Sequence, residues 1–189
     1  MKIFLKLRPT QIRVFGMKRI AKIIVSISSL ILLSSCDRSD EEFSIKRKDY
    51  LGNEIKTNGY FYSYDSTSST TSIKFLYRNG VVLSGGRYSL HDLDIIESEI
   101  LSGTFIDNDN KYNWSPFEVN NKTLIIETYY SNPPSSKLLT MRSFYDIQND
   151  TTIVLKRVDH PGYKNEVYNT FWHFKQFSPK PDSTNIYIK

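Results

Sequence analysis

The sequence predicts a mainly β fold: an antiparallel meander of seven or eight strands, closed or partly closed into a barrel, with one short helix. Three observations carry this. Residues 36–189 hold 24 of the chain's 26 Phe, Tyr and Trp residues, types that suit a pleated, half-buried surface. Short apolar runs recur between clusters of Gly, Asn, Asp and Pro, the punctuation of hairpins. Only one stretch carries the three- and four-residue spacing of a helix. Cys36 is the sole cysteine, so no disulfide can form within the chain and burial must hold the fold.

The elements follow in order. Residues 58–64 (NGYFYSY) are rich in Tyr and Phe, and a polar loop of Ser and Thr follows over 65–71. Ile73, Phe75 and Tyr77 alternate with Lys74 and Arg78. Asn79-Gly80 then signals a hairpin, since both residues accept the positive φ of a type I′ turn. Val81-Val82-Leu83 is the return strand, ended by Gly85-Gly86. Leu90, Leu93, Ile96 and Ile100, with acids between them, form the amphipathic helix, stopped by Gly103. Strands resume over 112–119, 123–130, 138–147, 151–158 and 166–177, with a short one over 185–188. Asn120-Asn121, Asn132-Pro133-Pro134, Asn149-Asp150 and His160-Pro161-Gly162 supply the turns. A meander of that strand count removes its exposed edges by closing, and the strand-rich pattern with one helix after the first hairpin is similar to that of lipocalin-like barrels.

Charge divides the chain. Residues 1–35 carry seven Lys/Arg and no acid, which leaves 18 basic against 20 acidic residues in 36–189. The net +5 of the whole chain therefore belongs to its first segment, and a nucleic-acid-binding surface is not expected. From Met17, a plausible start of translation, the chain reads as a secretory signal. Lys18, Arg19 and Lys22 precede an eleven-residue stretch, 23–33, that is too short to span a bilayer core. Leu33-Ser34-Ser35-Cys36 resembles the lipobox of bacterial lipoprotein signals. That resemblance implies a signal peptide over 1–35, lipidation of Cys36, and attachment to the membrane by its acyl chains. Residues 36–49 then form an acidic, solvated tether, and 50–189 a single domain. Asp37-Arg38-Ser39-Asp40-Glu41-Glu42 resembles the export signal of surface lipoproteins of Bacteroidota. The expected location is thus the cell envelope, at the surface or periplasmic face of the outer membrane.

A second resemblance covers most of 57–189. The run from Phe174 to Asn185 (FKQFSPKPDSTN) is similar to the C-terminal signature of uncharacterised Bacteroidota lipoproteins. Residues 57–60 (TNGY), 77–83 (YRNGVVL) and 113–117 (NWSPF) are similar to theirs as well. It implies a family and no chemistry. Asp65-Ser66-Thr67, Asp150-Thr151-Thr152 and Asp182-Ser183-Thr184 each resemble the O-glycosylation acceptor of that group, though each also reads as a solvated turn.

Catalytic and metal signals are weak. His91 lies in His-x-x-Asp with Asp94, His160 sits in a Pro-Gly turn, and His173 alternates with Trp172 and Phe174. Asp107-Asn108-Asp109-Asn110 opens like a calcium loop but lacks the Gly and bidentate Glu that must follow. No catalytic residue, metal site or cofactor is assigned. Tyr62, Tyr77, Trp114, Tyr129 and Trp172 are the candidates for lining a ligand cavity, against the reading that most aromatic residues are core. The functional expectation is a small-ligand binding module of the envelope, taking an apolar or glycan molecule. The alternative is a structural or interaction subunit of an envelope protein complex, with no ligand cavity.

Overall fold

The computed structural model describes residues 39–88, 92–104, 107, 110–133, 137–162, 164 and 166–189, with only the backbone of 87 and 88. Cys36, the lipobox residues Leu33, Ser34 and Ser35, and His91 lie outside the described residues.

Among the described residues, eight strands run β1 (Gly59–Asp65), β2 (Thr70–Leu76), β3 (Val81–Tyr88), β4 (Trp114–Asn120), β5 (Thr123–Ser131), β6 (Leu138–Asn149), β7 (Thr152–Asp159) and β8 (Glu166–Gln176). Each pairs antiparallel with the next and β8 returns to β1, so the meander closes into a barrel. The helix, α1 (Leu93–Ser102), falls between β3 and β4 and is followed by a 3-10 turn, Lys111–Asn113. Asp92 caps its N-terminus by accepting from Asp94 N, and Gly103 caps its C-terminus at φ 73°. All of these elements belong to one unit, Asp40–Lys189. Among the described residues, no helix is long and apolar enough to cross a membrane.

Three local expectations are corrected. The β2–β3 connection is not a type I′ turn. Gly80 N–H donates to Tyr77 O, Tyr77 N–H donates to Val81 O, and Gly80 has φ 78° whereas Asn79 is not left-handed. This is the longer hairpin loop closed by a left-handed Gly. A Cβ at Gly80 would stand 2.2 Å from the Lys48 carbonyl oxygen. The two-residue turn with both φ positive lies instead at Asn121 (48°) and Lys122 (64°), between the paired Asn120 and Thr123. Gly85-Gly86 does not end β3; the strand continues to Tyr88 past a bulge opposite Thr71/Ser72. Residues 185–188 form no strand; the Asn185 side chain accepts from the backbone N–H groups of Tyr187 and Ile188.

Two cores result. One draws on all eight strands, including Phe61, Leu76, Val82, Phe117, Leu124, Tyr145, Ile153 and Trp172, and is the barrel interior. The other draws, among the strands, only on β1 to β4 (Tyr60, Ile73, Phe75, Val81, Leu83, Trp114), with Tyr77 of the β2–β3 loop, Ile96 and Ile100 of α1, and Phe177 and Ile188 of the tail. It therefore lies outside the barrel, under a cover of helix and C-terminal chain. Strands β1–β3 are buried on both faces, which is why 60–62 reads Tyr-Phe-Tyr without a polar break.

The tether also departs from expectation from Asp40 onward. Glu41 N–H donates to Leu138 O, and the Glu41 and Asp40 carboxylates accept from Thr140 N and Leu138 N. Ser44 Oγ and Ile45 N donate to the buried Glu127 carboxylate at 2.8 Å, and Arg142 pairs with it at 3.3 Å. Acids that read as solvating charge are spent on fastening the segment to the wall.

Candidate functional site: the barrel lumen

Strand alternation divides the lumen by height. Its lower end carries the 77–80 and 120–123 turns, and its upper end the connections after β1, β5 and β7. Below, the inward residues are packed hydrocarbon: Phe61, Leu76, Val82, Phe117, Leu124 and Ile126 are each no more than 2% exposed. Tyr50 and Ile55, from the chain preceding β1, close that end. Above, the same strands turn small hydroxyl side chains inward. Ser63, opposite Ser72, and Ser115, opposite Val82, are buried. Ser84, Thr128, Ser143 and Thr170 are half-buried and keep some exposure to water. Ser115 and Thr128 share a hydrogen bond at 3.0 Å.

At the boundary stands Lys74 of β2, opposite Phe61 and Ser84. Its Nζ donates to Ser84 Oγ at 3.3 Å and lies 5.0 Å from the centroid of the Trp172 ring. Burial lowers its pKa from 10.5 to about 8, with no carboxylate opposing the shift. Trp172, 7% exposed, packs edge-on against Tyr145 at 6.1 Å. Its Nε1 has no hydrogen-bond acceptor among the described residues. Tyr145, also enclosed, has its phenol pushed up by burial.

The seam between β1 and β8 closes only below. Four residue pairs, Gly59–Tyr62 with His173–Gln176, join the strands. Above Tyr62, β1 pairs only with β2, and β8 only with β7. A recess of about 450 Å³ occupies the parting, lined by inward Ser63 and Thr170 together with Tyr62, Tyr64, Phe171 and His173. The parting thus leads from the surface towards the hydroxyl-lined half.

Of the five aromatic residues proposed from sequence to line a cavity, Trp172 alone faces the lumen. Tyr62, Tyr77 and Trp114 face the outer core, and Tyr129 lies on the outer wall against Phe43, with ring centroids 4.2 Å apart. Lys74 was missed because Ile73, Phe75 and Tyr77 alternate with it and look like the inward set. The period is right and the faces are reversed: the bulky residues point out, under the cover. His173 is on the opposite side from Trp172 and Phe174, exposed, 6.1 Å from the Tyr62 ring. His160 lies in the loop after β7, edge-on to Tyr130 at 4.7 Å. Asn110 of the calcium-like run caps the 3-10 turn; Asn108 and Asp109 lie outside the described residues.

A second cleft, of about 370 Å³ on the outer wall, brings Glu127, Arg142, Asp159 and His160 together. Its central carboxylate is saturated by Ser44, Ile45 and Arg142, so it serves as a fastening with no oxygen left for a substrate. Among the described residues, no group of three His, Cys, Asp or Glu side chains could hold a metal ion. A scan of protein-family models finds no match to this chain, and searches of curated proteins and of solved structures find none either.

Proposed function

We propose that this chain is a lipid-anchored protein of the bacterial cell envelope whose barrel holds a small molecule in the upper lumen. The divided lumen carries the reading. A barrel that served only as a scaffold would be filled along its length, since each unfilled volume forfeits packing energy. Here, above Lys74 and Trp172, the inward positions of β1, β2, β3 and β8 are the small hydroxyl residues Ser63, Ser72, Ser84 and Thr170, while Leu155 of β7 still packs against the barrel core. The parted seam supplies an entrance. Lipidation of Cys36 would tie the protein to a membrane, and Asp40, already fastened at the upper end beside Leu138, follows Cys36 by four residues. A linker of that length spans at most about 14 Å, so the entrance would work close to the lipid surface.

The test is a native mass spectrum of residues 37–189, exported without lipid in an envelope-bearing host. A discrete added mass that leaves on denaturation is the expected result. Bare polypeptide under the same conditions would favour the structural or interaction subunit instead.

A further inference from the structure

Resting on the reading of the lumen as a ligand site, we propose that the ligand bears a carboxylate, which accepts hydrogen bonds from Lys74 Nζ and Trp172 Nε1. Contrast with a second sheltered lysine is instructive. Lys180 also has its pKa lowered by burial, yet its Nζ is satisfied by two backbone carbonyls, Thr57 O at 2.6 Å and Leu76 O at 2.9 Å, and lies 4.0 Å from the Tyr77 ring centroid. It holds the C-terminal chain in place and needs nothing further. Lys74 has a single hydroxyl at 3.3 Å and an aromatic face. Two of its ammonium hydrogens therefore lack an acceptor among the described residues.

Among the described residues, no acid pairs with it. The cations in ion pairs among the described residues are Lys56, Lys111, Arg142, Arg157 and Lys175. The acids nearest the upper rim are engaged: Asp65 accepts from Thr67 N and Ser68 Oγ, and Glu166 from the Tyr168 hydroxyl. Lys74 is half-buried, and a charge partly taken from water without a counter-ion carries a cost that a pairing anion relieves. Trp172 adds a buried N–H donor with no acceptor among the described residues, on the ring that Lys74 overlies. Both deficits are of the same kind: donors on one pair of inward-facing side chains, lacking an anion among the described residues. One positive charge matches a carboxylate, whereas a phosphate dianion would carry a surplus negative charge into the enclosure.

The carboxylate can come from a sugar acid, whose hydroxyls suit the serines and threonines above, or from a fatty acid. Binding of glucuronate against glucose, and of decanoate against decanol, is to be followed by calorimetry on lipid-free 37–189 refolded from urea. The expected result is that the acid of at least one pair binds at least tenfold more tightly than its neutral partner. The pair that responds names the body of the ligand. Lys74→Met and Lys74→Gln are expected to abolish the preference, and Trp172→Phe to weaken the acid several-fold, each with a wild-type circular dichroism spectrum. Equal binding of acids and neutrals, binding of neither acid, or an acid preference that survives both Lys74 variants would overturn the proposal. A neutral molecule found by native mass spectrometry would overturn it too, yet leave the ligand site standing; bare polypeptide there would remove the site itself.

Discussion

Lys74 Nζ lies 5.0 Å from the centroid of the Trp172 ring, and these two residues mark the level at which the barrel changes from packed hydrocarbon to hydroxyl-lined space. Lysine is a poor core residue, because its charge is costly to enclose without a partner. Its position over the indole recovers part of that cost through the ring's negative face.

The cost is measurable as a pH dependence. Facing Lys74 are Phe61 of β1, Ser84 of β3 and Trp172 of β8, none of which titrates near neutrality. The native pKa of about 8 is below the unfolded 10.5. Between those values the unfolded chain binds more protons, so stability rises with pH through that window. Lys180 acts in the same direction. Lys74→Met should therefore be more stable than wild type at pH 7, by up to about 3 kcal/mol, with a shallower rise between pH 8 and 10.5. Urea titrations at several pH values check this; parallel pH curves for the two proteins would count against it.

Tyr60 and Glu97 hold the helix to the barrel. The Tyr60 hydroxyl donates to Glu97 Oε1 at 2.7 Å, and Lys175 joins the same oxygen at 3.0 Å. Tyr60→Phe leaves Glu97 paired with Lys175, so a loss of about 1 kcal/mol is expected. Tyr60→Ala removes a fully buried ring between Phe75 and Phe177, and about 3–5 kcal/mol should go with it. Hydrogen exchange over 93–102 should accelerate in Tyr60→Ala far more than in Tyr60→Phe.

Glu127, 2% exposed, gathers Ser44, Ile45 and Arg142. Glu127→Ala leaves a buried N–H without an acceptor and an arginine without its partner. A loss of roughly 2–4 kcal/mol follows, along with faster proteolysis within 40–48. Unchanged cleavage there would mean that the segment is held by other contacts.

Lys122 adopts φ 64° in a turn that suits glycine. Lys122→Gly should raise stability by about 0.5–1 kcal/mol, read as a higher thermal midpoint. The reverse sign is expected at Gly80, where an added Cβ meets backbone.

Strand count, hairpin order and helix were legible because each rests on local signals: period-two alternation, turn residues, and three- and four-residue spacing closed by Gly103. The face of β2 was not. Ile73, Phe75 and Tyr77 are buried as their pattern requires, but a helix and tail more than fifteen residues away in sequence cover them, and no local signal reports such a cover. The segments 57–60, 77–83, 113–117 and 174–185 have a shared placement that sequence alone did not disclose. Phe177 N–H donates to Asn58 O, Tyr77 Oη to Pro181 O, Asn79 Nδ2 to Ser183 Oγ, and Phe117 N–H to Gly80 O. They assemble the closed lower end, apart from Ser115, which turns into the lumen beside Thr128, so these stretches are mainly structural.

The chain has two tryptophans, one in the lumen and one in the outer core, and that gives the most direct test of a ligand above Lys74. Indole N–H resonances are to be recorded for 15N-labelled protein as isolated from an envelope-bearing host, and again after stripping by unfolding and refolding, with Trp172→Phe assigning the peaks. Movement of the Trp172 resonance, with Trp114 unmoved, is the expected result. Identical positions for both indoles before and after stripping would contradict a lumen-bound ligand.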